Sequence, residues 1–267
     1  MTELHATSND GTVITALDDG SGPTVLVVHP GGGDATSWDA VVGPLTADFR
    51  MVRIHRRIYA PGATLPRTHS MAVEAADILA VAALLEQPVL LVGHSSGAVA
   101  ALQAALFAPS SFAAILVYEP PMPTTSPVAG EAGLRARAAL DAGDPVEAMR
   151  IHMRDIVTMP VAEVEAMFAD PRARAYFAAV AAAQITDNET LDALGVGIER
   201  FAKLDVPTTL VEGDASPAHL RERTADLAAV LPKARVVTLA GQGHIAHMAA
   251  PGLLTGLIRE VAGQAFR

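Results

Sequence analysis

The sequence predicts an α/β fold: a parallel sheet covered on both faces by helices and interrupted by one helical insertion. Three observations predict it. Short, continuously apolar segments alternate with stretches whose apolar residues recur at helical spacing, which is the pattern of a sheet buried on both faces. The alternation breaks between Pro121 and about Leu204, where helical segments follow one another without a strand. Pro88 to Leu102 reads as strand, sharp turn and helix, with Ser95 at the apex.

Taken in order, Leu4 to Thr7 and Thr12 to Leu17 are β-rich, and Asp18-Asp19-Gly20-Ser21-Gly22-Pro23 is a turn. Thr24 to Val28 is a buried strand, Ser37 to Ala47 a helix, Arg50 to Ile54 a strand, and Met71 to Leu85 an apolar-periodic helix. Val89 to Val92 is the next strand, followed by a helix over Gly97 to Phe107 and a strand over Ala113 to Tyr118. Beyond the insertion come strand Thr208 to Val211, helix Ala218 to Leu231, strand Arg235 to Leu239 and a last helix near Pro251 to Gln264. The expected organisation is a core domain over residues 1–120 and 205–267 with a helical lid over residues 121–204. Met149 to Met153, Val164 to Phe168 and Tyr176 to Val180 bring Met and aromatic side chains to that lid. Such stripes usually serve helix packing; lining a pocket is the alternative.

Composition narrows the function. A 267-residue chain that is 51% hydrophobic supports one large core. Its formal net charge is -10, with 19 Lys and Arg against 29 acidic residues, which disfavours nucleic acid or an anionic membrane surface as partner. A small-molecule substrate is expected instead. Met1 to Thr7 lacks the basic and apolar regions of a signal peptide, and no apolar run approaches the ~18 residues of a membrane span, so a soluble, cytoplasmic protein is expected. The absence of Cys excludes disulfides, thiolate nucleophiles and thiolate metal sites.

The chemistry-bearing residues gather at the predicted strand ends. Val89-Leu90-Leu91-Val92 leads into Gly93-His94-Ser95-Ser96-Gly97, and the two glycines let a strained turn pass without Cβ clashes. That is the pattern of a nucleophile elbow; a plain Ser N-cap is the alternative. A Ser hydroxyl needs a general base within reach. Of nine His, His244 stands in the tight loop Ala240-Gly241-Gln242-Gly243-His244 after the last strand and is the candidate base. His247, about one turn on, is expected to pack. The pair lacks a third ligand or an HExxH pattern, so no metal and no cofactor are expected. After the third strand, His29-Pro30-Gly31-Gly32-Gly33 is a glycine-rich turn.

Through His-Pro-Gly-Gly-Gly, Val-Gly-His-Ser-Ser-Gly and Gly-Gln-Gly-His, in that order, the chain resembles the α/β-hydrolase superfamily over essentially its whole length. The resemblance implies an eight-stranded, mostly parallel sheet, a cap inserted after strand six, and a triad of Ser, acid and His. It also aligns Gly31 and Ser96 as the oxyanion N–H donors. Pro30 stands where the family usually has Gly, which keeps Gly32 open as the alternative.

The acid departs from the majority pattern. Most family members carry it after strand seven, where Val211-Glu212-Gly213-Asp214-Ala215-Ser216-Pro217 puts Ser216 at the expected place and Asp214 two residues early. Leu116-Val117-Tyr118-Glu119-Pro120-Pro121 instead places Glu119 at the end of strand six, beside the strand that bears Ser95. Parallel strands lie about 4.8 Å apart, so Glu119 is the candidate acid and Asp214 the alternative. An acid after strand six is similar to the arrangement in zearalenone lactonases. Three further residues have plainer readings. Arg56 and Arg57 are expected in a solvated basic loop, with a substrate carboxylate or phosphate as the alternative; Trp38 anchors the first helix, and His94 is structural.

The function expected is a serine esterase or lactonase that cleaves a small, largely apolar molecule through an acyl-enzyme. The same residues are also compatible with C–C bond hydrolysis, perhydrolysis, or a non-hydrolytic binding or cyclase role.

Overall fold

The computed structural model describes residues 1–63, 65–66 and 68–267. Eight strands form one sheet: β1 (Thr2–Thr7), β2 (Val13–Asp19), β3 (Thr24–Val28), β4 (Arg50–Ile54), β5 (Val89–His94), β6 (Phe112–Tyr118), β7 (Thr208–Gly213) and β8 (Ala234–Leu239), in the order β1-β2-β4-β3-β5-β6-β7-β8. The pairs β1/β2 and β2/β4 are antiparallel and all others parallel. This is an α/β-hydrolase fold with a mostly parallel sheet.

The central strands β3 and β5 are buried at every residue, as their unbroken apolar runs require. Alternate side chains feed two cores. Leu26, Val28 and Leu91 join Ile78, Val99 and Leu102 on one face, while Val25, Val27, Leu90 and Val92 join Trp38 and Ile258 on the other. Each such side chain stabilises the fold by about 1.5–3 kcal/mol when fully buried.

The helices are α1 (Asp39–Val42), α2 (Met71–Ala82), α3 (Ser96–Phe107), α4 (Gly130–Asp141), α5 (Pro145–Ile151), α6 (Val161–Ala169), α7 (Pro171–Asp192), α8 (Ala218–Val230), α9 (Ala246–Ala249) and α10 (Pro251–Ala265). The single helix expected over Ser37 to Ala47 is broken into a 3-10 turn at Ala35–Trp38, α1, and a second 3-10 turn at Gly43–Leu45. Gly43 and Pro44 explain the break, since Pro supplies no N–H and Gly resists helical order. Helix α9 was not expected; it is one short turn between His244 and α10.

All of α4 to α7 lies between β6 and β7, with a π turn over His152–Ile156 after α5. Met149, Val164, Phe168 and Ala181 form an apolar cluster there, against which Met153, Met159, Met167 and Phe177 pack. These Met and Phe side chains therefore join helix to helix, whereas Tyr176 is exposed and its hydroxyl donates to the Gly32 carbonyl. Among the described residues no helix is long and apolar enough to cross a membrane.

Candidate active site

Strand β5 ends and α3 begins at Ser95, whose backbone sits at φ 53 and ψ -129. A non-glycine residue in that region stores about 1–3 kcal/mol of strain, which the surrounding contacts must hold. They do so because the turn is tight: a Cβ on Gly93 would lie 2.6 Å from Ala98 Cα, and one on Gly97 would collide with the His29 carbonyl. The Ser95 N–H donates to the Tyr118 carbonyl at 2.9 Å, tying the elbow to β6. Ser95 is partly exposed, and among the described residues no hydrogen bond joins its hydroxyl to His244.

One strand over, Glu119 follows β6 at φ 45 and is wholly buried. Its Oε1 accepts the Gly213 N–H at 2.7 Å, and its Oε2 lies 2.6 Å from His244 Nδ1. Both carboxylate oxygens are thus engaged, one by the end of β7 and one by the imidazole. Asp214 is exposed and accepts the Gly241 N–H at 2.7 Å, so it braces the turn leading to His244 instead of meeting the ring.

The loop bearing His244 rests on the residues that precede Ser95 and Glu119. His94 Nε2 donates to the His244 carbonyl at 2.9 Å, while the Tyr118 hydroxyl donates to the Gly243 carbonyl and accepts the Ala246 N–H. The two rings stack at 4.7 Å, and His247 stacks on Trp38 at 5.8 Å. Burial pushes His94 well below the ordinary histidine value and His247 down to about 4, so this aromatic wedge is uncharged at neutral pH. Trp38 does more than anchor the first helix: it packs edge-on to His94 as well.

The glycine loop after β3 starts with His29, also held at about 4 by burial and by the neighbouring Arg56. Its neutral ring accepts the Arg56 N–H at Nε2 and donates from Nδ1 to the Pro30 carbonyl at 2.8 Å. Gly31 and Gly32 follow. Tyr59 packs edge-on to the His29 ring at 5.8 Å, and burial pushes its phenol well above the ordinary value.

Arg56 is not in a solvated loop. It is fully buried, pairs with Glu74 at 3.0 Å, and grips Asp187 bidentately at 2.8 and 3.0 Å. Its Nη1 also donates to Ser96 Oγ at 2.8 Å, and Ser96 Oγ donates to Asp187 at 2.6 Å. The Tyr59 hydroxyl donates to the same carboxylate at 3.0 Å. Burial favours the neutral Glu74, but Arg56 and His69 outweigh it and hold the carboxyl at about 2. Arg57 is likewise paired, with Asp10 and Asp77. Neither arginine is free to meet a substrate anion.

Sequence patterns concealed α7's part in this site. Gln184, Asp187 and Asn188 fall at i, i+3 and i+4 of an Ala-rich helix, and such a polar face ordinarily signals solvent. Here all three are buried. Gln184 Nε2 donates to Asn188 Oδ1, and Asn188 Nδ2 donates to His152 Nδ1 at 2.9 Å. Burial keeps His152 at about 4, so its proton lies on Nε2. Among the described residues no three His, Asp or Glu side chains gather as a metal site.

The model of the alpha/beta hydrolase family matches residues 25–255. No curated protein matches the chain by sequence. Among solved structures, an alpha/beta hydrolase from Sphaerobacter thermophilus is 28% identical with a TM-score of 0.83, the match covering 96% of this chain and 99% of that one. A thermophilic esterase from Thermogutta terrifontis is 22% identical with a TM-score of 0.75 and 99% of both chains covered. A Rhodococcus esterase is 17% identical with a TM-score of 0.74, covering 98% of this chain and 99% of its own.

Proposed function

The chain belongs to the alpha/beta hydrolase family, and on that premise we propose that it is a serine hydrolase that cleaves a small carboxylic ester or lactone through an acyl-enzyme. The observation that carries the reading is the 2.6 Å contact between His244 Nδ1 and the buried Glu119, beside the strained turn at Ser95. A carboxylate at Nδ1 fixes the ring tautomer that leaves Nε2 as the proton acceptor.

In this mechanism Ser95 Oγ attacks the substrate carbonyl while His244 Nε2 takes the hydroxyl proton. The carbonyl π electrons move onto oxygen, and the N–H groups of Gly31 and Ser96 stabilise that oxyanion. Collapse of the tetrahedral species expels the alkoxide, which receives the proton from His244. Water, deprotonated by His244, then attacks the acyl carbonyl, and collapse of this second tetrahedral species releases the acid as His244 returns the proton to Ser95 Oγ. The Ser95 to His244 hydrogen bond forms with the substrate complex, since catalytic hydrogen bonds are often long without substrate. The α4 to α7 segment acts as the lid over this site.

Incubation with a fluorophosphonate followed by intact-mass measurement tests the reading. A single adduct that disappears in Ser95→Ala, together with loss of p-nitrophenyl butyrate turnover in that variant, is expected. An unmodified wild-type protein, or a Ser95→Ala variant with full turnover, overturns it.

A further inference from the structure

The geometry points to Asp187, carried by helix α7 between β6 and β7, as a positioning residue for the oxyanion hole; the inference rests on the roles proposed above for Gly31 and Ser96. Ser96 is the first residue of α3, where backbone N–H groups have no acceptor within the helix. The direction of its N–H therefore depends on what holds the residue. Two groups hold it by the side chain: Ser96 Oγ donates to Asp187 Oδ2 at 2.6 Å and accepts from Arg56 Nη1 at 2.8 Å.

The second donor hangs on the same guanidine-bearing residue. The Arg56 backbone N–H donates to His29 Nε2 at 3.2 Å, and His29 holds the Pro30 carbonyl one residue before Gly31. Helix α7 touches this loop directly at two more points. The Tyr176 hydroxyl donates to the Gly32 carbonyl, and a Cβ on Gly31 would lie 2.6 Å from Gln184 Oε1. Residues 176, 184 and 187 thus brace the glycine loop and the elbow along one stretch of α7.

The energetics favour orientation over adhesion. Arg56, Glu74 and Asp187 are each at most 1% exposed, and burying charges is a costly way to join a helix to a core that apolar contacts could join as well. What the charged network adds is direction: Asp187 receives Ser96, Tyr59 and both Nη nitrogens of Arg56 in fixed positions. Its carboxylate charge is offset by Arg56, so it does not oppose the oxyanion. The oxyanion hole is then complete only when α7 is seated on the core.

Ser96→Ala is the decisive variant, because it removes no charge and leaves the Arg56 to Asp187 pair intact. With p-nitrophenyl butyrate, kcat is expected to fall about tenfold while KM stays within about twofold, as for a slightly misplaced catalytic group. Inhibition by phenylboronic acid, whose tetrahedral serine adduct needs the same N–H groups, weakens by a similar factor, while the folded variant melts a few degrees lower because Arg56 and Asp187 each lose a buried partner. Asp187→Asn lowers kcat in the same way. Wild-type kcat and wild-type boronate affinity in Ser96→Ala, or wild-type kcat in a folded Asp187→Asn, overturn the assignment. A fluorophosphonate adduct on the wild type accompanying that result means that only the role of Asp187 falls; no wild-type adduct means that the serine-hydrolase reading falls and takes this inference with it.

Discussion

Glu119 Oε2 stands 2.6 Å from His244 Nδ1, and the other oxygen of the same carboxylate accepts the Gly213 N–H. A carboxylate held at both oxygens cannot rotate away from the ring, and the ring cannot exchange tautomers without losing its partner. Glu119→Gln keeps the size and removes the charge. Its kcat is expected to drop about 10²–10⁴-fold, whereas Asp214→Asn, which can still accept the Gly241 N–H, stays within about twofold of wild type. Steady-state kinetics of the two variants decide this, and the opposite ranking would make Asp214 the acid.

Tyr118→Phe removes the hydroxyl that joins the Gly243 carbonyl and the Ala246 N–H. Two backbone groups on either side of His244 then lose their partner, at a cost of about 1–3 kcal/mol. The expected outcome is a several-fold lower kcat with little change in KM, and a lower urea midpoint. Equal kcat in the two proteins would show that His94 alone is enough to seat the loop.

Acid should destabilise the fold well before its carboxylates titrate. His29, His152 and His247 are held at about 4 by burial, against about 6.5 in an unfolded chain. Between those values the unfolded chain binds more protons, so stability is complete above about pH 6.5 and is lost as pH falls toward 4. The melting temperature is expected to fall by more than about 5 °C from pH 7.5 to 5.0. A flat profile over that range would count against buried neutral histidines.

Gly97→Ala places a methyl group against the His29 carbonyl and 2.8 Å from the Val28 carbonyl. Neither backbone oxygen can move without opening the β3 end, so a loss of at least about 3 kcal/mol is expected in urea unfolding. Gly263→Ala in α10 meets nothing within 4 Å and is expected to be neutral or to stabilise by up to about 1 kcal/mol. A tolerated Gly97→Ala would refute the close approach of α3 to β3.

The legible parts of this molecule are those whose signal is local. Val89 to Val92 and Thr24 to Val28 are read as strands because every residue is apolar, and the elbow follows because glycine, serine and a helix-forming Ala run are contiguous there. The break in the expected Ser37 to Ala47 helix was legible as well, in Gly43-Pro44, but a helical apolar spacing outweighed it. Other features gave no local signal. Arg56 in His55-Arg56-Arg57 looks like any surface basic run, and its burial depends on Glu74 18 residues away and Asp187 131 residues away. Asp187 itself sits in a polar helix face that would ordinarily meet water.

By itself the sequence determined the α/β class, the order of its elements and the turn at Ser95, because alternation of apolar strands with helices and the steric demands of a tight turn are properties of neighbouring residues. Tertiary structure alone decided which carboxylate meets His244 and what holds Ser96. Those outcomes depend on strand neighbours and on a helix folding back over the sheet edge: β6 lies between β5 and β7, so Glu119 reaches the ring, and α7 crosses the elbow, so Asp187 reaches Ser96. Hydrogen bonds act over about 3 Å, a distance that sequence separation does not encode.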